Sequence, residues 1–150
     1  MTRKKRTRKV VRNPLELMMP MARKQREIVV AHYWIAFRTV QAGNGTERDL
    51  YILLKVCEFL YIAMLDPEMD NTGIEEVRIA ARGIRDAVGR GHSPETIRRW
   101  GFDGDTMWRT EQIIQAVEQM LLSTKLLKIE EWLNIQAVSI RNADFKCLDT

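Results

Sequence analysis

The sequence predicts an all-α, single-domain helical bundle of about five helices plus one short helix, with a basic arm in front. Three observations predict it. Apolar residues recur at three-and-four spacing through most of the chain. Ser, Thr or Asp stands before several of these runs as a helix-start signal, and Gly or Pro follows them. The 150 residues are 45% hydrophobic and 29% charged, a globular mixture of one-domain size. The spacing divides the chain into a disordered basic arm (1–13), an α-helical domain (14–143) and a frayed C-terminal tail (144–150).

The arm holds Arg3, Lys4, Lys5, Arg6, Arg8, Lys9 and Arg12, and no acid. Its like charges repel and it has little to bury, which predicts disorder in the free chain. Pro14 and Pro20 bracket a short apolar strap, Leu15 to Met19, expected to lie against the body. The first helix should span about 22–42. It is apolar nearly all round from Ile28 to Phe37, as for a helix central in a bundle or one with a second face for a partner.

Gly43 and Gly45 end that helix. Thr46 with Asp49 then offers a cap close to a capping box for a helix over about 47–65. Asp66-Pro67 stops it, and Thr72 with Glu75 offers another cap and box for a helix over about 73–89. Ser93-Pro94-Glu95 starts a short helix that Gly101 and Gly104 limit. Asp103 or Asp105 caps the next helix, to about Leu122, and Ser123-Thr124 offers a cap for a last one through Ile140.

Charge is segregated. Of 24 Lys and Arg, seven fall in residues 1–12, leaving 17 against 20 acids, so the net +4 describes an arm on an acidic body. Cys57 and Cys147 are expected as two free thiols in a reducing compartment. No apolar run approaches the ~20 residues that span a bilayer, and no signal peptide is legible, so a cytoplasmic protein is expected.

Catalysis and metal binding find little footing. His32 and His92 lack partners at zinc-site spacing. His32 sits in an apolar run and suits a core or interface position. His92 lies beside Ser93 in a turn. The acidic stretch from Asp66 departs from an EF-hand at its sixth position, Asn71, and its twelfth, Val77. No phosphate loop or nucleophile elbow occurs. The expectation is a non-enzymatic protein without cofactor.

Nucleic acid, DNA ahead of RNA, is the expected ligand. Lys/Arg clusters bind phosphate by releasing counterions. Besides the arm, six arginines (Arg78, Arg82, Arg85, Arg90, Arg98 and Arg99) stand against Asp86 and Glu95 over residues 78–99. Ala87, Gly91 and Ile97 take the small, turn-Gly and aliphatic places of a helix-turn-helix, with Ser93, Arg98 and Arg99 on its second helix. Ser93-Pro94-Glu95-Thr96-Ile97-Arg98-Arg99-Trp100 resembles the start of the recognition helix in MerR-type regulators. Gly89 and Arg90 depart from that pattern. Recognition of paired half-sites would call for a homodimer.

The Trp100-Gly101-Phe102-Asp103-Gly104 run, ahead of an amphipathic helix, resembles a loosely related group of small helical proteins of bacterial plasmids and prophages. That resemblance spans roughly residues 20–140 and implies an accessory or regulatory role on a mobile element. The competing expectation is a helical protein-interaction factor, an inhibitor or adaptor of a host or rival protein machine. The near-terminal Met18, Met19 and Met21, the apolar first helix, and Trp108 and Trp132 would supply its contact surface, and an acidic protein surface would suit the arm.

Overall fold

The computed structural model describes residues 14–92 and 101–149. They form α1 (Pro14–Met18), α2 (Arg23–Gln41), α3 (Glu47–Leu65), α4 (Ile74–His92), α5 (Gly104–Ser123) and α6 (Leu126–Arg141), then a 3₁₀ turn at Lys146–Leu148. The predicted all-α bundle is what forms. No strand occurs among the described residues, although an isolated antiparallel bridge joins Pro20 and Lys125.

Helix α3 is the axis of the bundle. It starts on the predicted box: Thr46 N–H donates to Asp49 Oδ2 at 2.9 Å, and Asp49 N–H donates to Thr46 Oγ1 at 3.4 Å. Buried side chains then point every way around it, from Leu50 and Leu53 through Val56 and Cys57 to Leu60 and Ala63. Helices α2, α4, α5 and α6 and the 3₁₀ turn cover those faces. The apolar α2, one option for a central helix, lies at the side instead. It buries Val30, Ala36, Phe37 and Val40 and leaves Ile28 and Ile35 exposed.

Two predicted caps give way to other contacts. Thr72 does not cap α4; its hydroxyl and its N–H both donate to Asp70 Oδ1, at 2.6 and 2.9 Å. Gly73, at φ +86°, turns the chain into the helix instead. Ser123 bonds back to the carbonyls of Gln119 and Met120 at 3.5 Å. The start of α6 is served by the strap, whose Met19 carbonyl accepts the Leu126 N–H at 2.8 Å. Asp103, by contrast, caps α5 as predicted, accepting the Thr106 N–H at 2.7 Å.

Helix α4 runs three residues past its expected end at Gly89. A helical Gly costs up to ~1 kcal/mol, and the burial of Ala87 and Gly91 on either side offsets it. The tail, expected to fray, is docked. Cys147 is fully buried in the 3₁₀ turn, and the backbone N–H groups of Lys146 and Cys147 each donate to the buried Glu58 carboxylate at 2.9 Å. An unpaired carboxylate at that depth would be costly, so the tail and α3 need each other.

Candidate nucleic-acid interface

Helix α4 divides the arginines assigned to it. At ~100° per residue, Arg78, Arg82 and Arg85 fall within about 60° of one another, while Arg90 stands about 140° around from Arg85. The four therefore make two features rather than one patch. Arg3, Lys4, Lys5, Arg6, Arg8, Lys9, Arg12, Ser93, Arg98 and Arg99 lie outside the described residues.

Arg78 is committed to the fold. Its guanidinium donates to the Asp149 carbonyl and pairs with Glu75 at 3.3 Å, its side chain is only 22% exposed, and its buried Nε has no hydrogen-bond partner. It clamps the tail from the α4 side, as Glu58 does from α3. Arg82 is half-buried beside it and has no acid at ion-pair distance among the described residues. Arg85 is exposed and only brushes Asp86, at 3.9 Å. A pair so long and so wet holds little energy.

Arg85 lines a groove of about 480 Å³ with Tyr51, Leu54 and Lys55 of α3 and with Phe145 and Leu148 of the tail. Lys55 is the basic residue that sequence reasoning missed. A lone cation within the apolar run from Leu50 to Cys57 was the available signal. Lys55 and Arg85 on this groove, with Arg82 on the same α4 stripe as Arg85, make a basic side of the body.

Arg90 and His92 face other work. Arg90 donates to the Gly101 carbonyl at 3.2 Å. His92 Nε2 lies 2.8 Å from Glu47 Oε1, tying the end of α4 to the start of α3. That carboxylate would oppose a phosphate at His92. Asp103 adds negative charge nearby: the Thr106 N–H, then the Thr106 hydroxyl, with Arg90 and Arg109 at longer range, hold its carboxyl below the usual range.

The helix-turn-helix expectation needs a turn at Gly91. Gly91 is instead helical and buried, in one continuous helix with Ala87. Ile97, the third position of that pattern, lies outside the described residues. His32, expected in the core or an interface, is exposed on α2.

Both cysteines are free thiols sealed in the core. Burial, then the neighbouring Glu58, pushes Cys57 up to about 12, and burial with a hydrogen bond to Glu58 pushes Cys147 higher still. Neither is a nucleophile in the folded chain. Among the described residues no three His, Cys, Asp or Glu side chains gather as a metal site, and no helix is long and apolar enough to cross a membrane. No family model matches this chain, and no curated protein or solved structure does either.

Proposed function

We propose that this chain is a non-enzymatic, cytoplasmic nucleic-acid-binding protein, an accessory or regulatory factor of a mobile element. It grips phosphate with the basic residues of 1–12 and with Arg82, Arg85 and Lys55. One observation carries the reading: seven cations and no acid in residues 1–12, on a remainder of net negative charge. The basic side of the body supports it, because Arg82 and Arg85 are not consumed by strong ion pairs as Arg78 is. Two sealed thiols suit a reducing compartment.

Each phosphate neutralised on duplex DNA steepens the salt dependence by about −0.9 in log–log slope. The test is fluorescence polarisation with labelled duplex DNA and single-stranded RNA over a salt series. Binding to duplex DNA with a steep slope that loses several units when residues 1–12 are removed supports the proposal. Absence of binding at ~50 mM salt overturns it, since phosphate contacts are strongest in dilute salt.

A second reading, a helical protein-interaction factor, is favoured by the exposure of Ile28, Ile35 and Trp108. It requires no affinity for either nucleic acid at that salt.

A further inference from the structure

The groove that carries Lys55 and Arg85 offers more than charge. It is a hollow of about 480 Å³, within the ~300–1,000 Å³ of sites that take small organic groups. Leu54 in it is buried, Phe145 and Leu148 are half-buried, and Lys55 and Arg85 are exposed. The groove is therefore apolar below and cationic at its rim. Tyr51, 40% exposed, borders it from α3, and no carboxylate lines it.

Its cations are unspent and follow the helices. Among the described residues Lys55 has no acid at ion-pair distance, and neither has Arg82 on α4 or Arg48 on α3. At ~100° per residue Arg48, Tyr51 and Lys55 fall within about 60° of one another, so the ring lies on a line of charge about 10 Å long. Helix α4 runs antiparallel to α3, since His92 at its end meets Glu47 at the start of α3. It adds Arg85, then Arg82 one turn back. Cations in file beside an aromatic ring are how a single strand is held: the charges follow its backbone and the ring stacks on a base.

We propose that this groove seats an unpaired base of a single strand, stacked against Tyr51, while Lys55, Arg85 and Arg82 hold the neighbouring phosphates. The inference rests on the phosphate-binding reading above and names the form of nucleic acid that the site selects. An occupant must be anionic to match the rim and must carry a flat apolar surface to displace water from Leu54, Phe145 and Leu148. A duplex has the charge without the surface, because its bases are stacked on one another. The wall formed by the tail is set in advance by Glu58 and Arg78, which lowers the ordering cost of binding. Besides Tyr51, Lys55 and Arg85 no polar side chain lines the groove, so one base should serve nearly as well as another.

The test is fluorescence polarisation of the full chain with three labelled probes of equal length: oligothymidylate, a duplex, and an abasic strand that keeps the phosphates and lacks the bases. Tyr51→Ala should weaken oligothymidylate binding about 5- to 150-fold, the effect of losing one stacked base. Its affinity for the duplex and the abasic strand should match that of the parent chain. Tyr51→Phe, which keeps the ring, should bind all three as the parent does. The thermal midpoint should hold in both variants, because Tyr51 is exposed. A strand carrying 5-iodouracil should photocross-link to Tyr51 or Phe145, located by mass spectrometry of the digested complex.

Probes that bind the parent chain and Tyr51→Ala alike overturn the base site and leave the phosphate-binding reading standing. That is also the result expected if the groove takes an acidic, apolar peptide. An equal loss on all three probes overturns it too, since the ring would then act on the backbone or the fold. Cross-links confined to residues 1–12 do the same. Absence of binding to every probe at ~50 mM salt removes both readings together.

Discussion

Gly83 of α4 lies so close to Thr106 of α5 that a Cβ added to it would stand 2.2 Å from the Thr106 hydroxyl oxygen and 2.9 Å from its methyl. Thr106 has nowhere to go: it is buried, β-branched, and its N–H is held by Asp103. The α4–α5 contact therefore depends on a missing side chain. Gly83→Ala should destabilise the protein by about 1–3 kcal/mol, as overpacking does. Adding Thr106→Ala should recover part of the loss, which a double-mutant cycle in urea would read as coupling between the sites. Gly89, on the same helix with nothing within 4 Å, makes the control. There Gly89→Ala should be neutral or stabilise by up to ~1 kcal/mol.

The seat of the tail gives a chemical readout. With both thiols sealed and pushed up by burial, the native protein should react only slowly with a disulfide reagent at mildly alkaline pH. Glu58→Ala strands the buried Cys147 N–H, at a cost of roughly 1–3 kcal/mol, and frees the part-buried Lys146 N–H. It should release the tail, so that Cys147 is labelled before Cys57. Equal labelling rates in Glu58→Ala and the parent chain would show that the carboxylate does not hold the tail.

The arginines of α4 should separate by task. Arg82→Glu with Arg85→Glu should weaken duplex-DNA binding and flatten its salt slope, while changing the unfolding free energy by no more than about 0.5 kcal/mol. Arg78→Ala should do the reverse. It loosens the tail, reducing stability by about 1–3 kcal/mol for a lost charged hydrogen bond, with little effect on binding. Loss of DNA affinity in Arg78→Ala at unchanged stability would contradict this division.

Acid should act through the loop after α3. The Glu68 N–H first, then the Lys128 ammonium and the Trp132 indole N–H, donate to Asp66 and hold its carboxyl below the usual value. A carboxylate whose folded pKa is depressed binds fewer protons folded than unfolded. Its stabilisation is therefore present above the ordinary Asp range, near pH 4, and is lost as pH falls through the lower folded value. Denaturation midpoints of the parent chain should fall across that window, and those of Asp66→Asn should fall less steeply.

Local signals carried much of this architecture and long-range ones carried none. Thr46 and Asp103 were legible as caps because their partners sit three residues away. Thr72 and Ser123 look the same in sequence, but Asp70 takes the first, and the strap supplies Met19 where the second was expected to act. Thr46→Ala should accordingly cost about 1 kcal/mol and Ser123→Ala almost nothing. Apolarity did favour α3, where only Lys55 and Glu58 interrupt the run from Leu50 to Leu65, over α2, which opens on Arg23, Lys24, Arg26 and Glu27. The docked tail was invisible because its partner, Glu58, is a charged residue 88 positions upstream of Lys146. On the basic side, the grouping of Arg78, Arg82 and Arg85 follows from helix periodicity. The diversion of Arg78 to the tail does not.

The Glu58–Cys147 contact also sets an order of events in time. Closing a loop of 89 residues costs about 4 kcal/mol of chain entropy, so it forms only after α3 has collected its nearer neighbours. A contact made after the folding barrier leaves the folding rate alone and governs how long the native state survives. Stopped-flow measurements on Glu58→Ala should thus show faster unfolding on an unchanged folding limb. The last turn of the chain would then act as a kinetic lock, closed last and opened first.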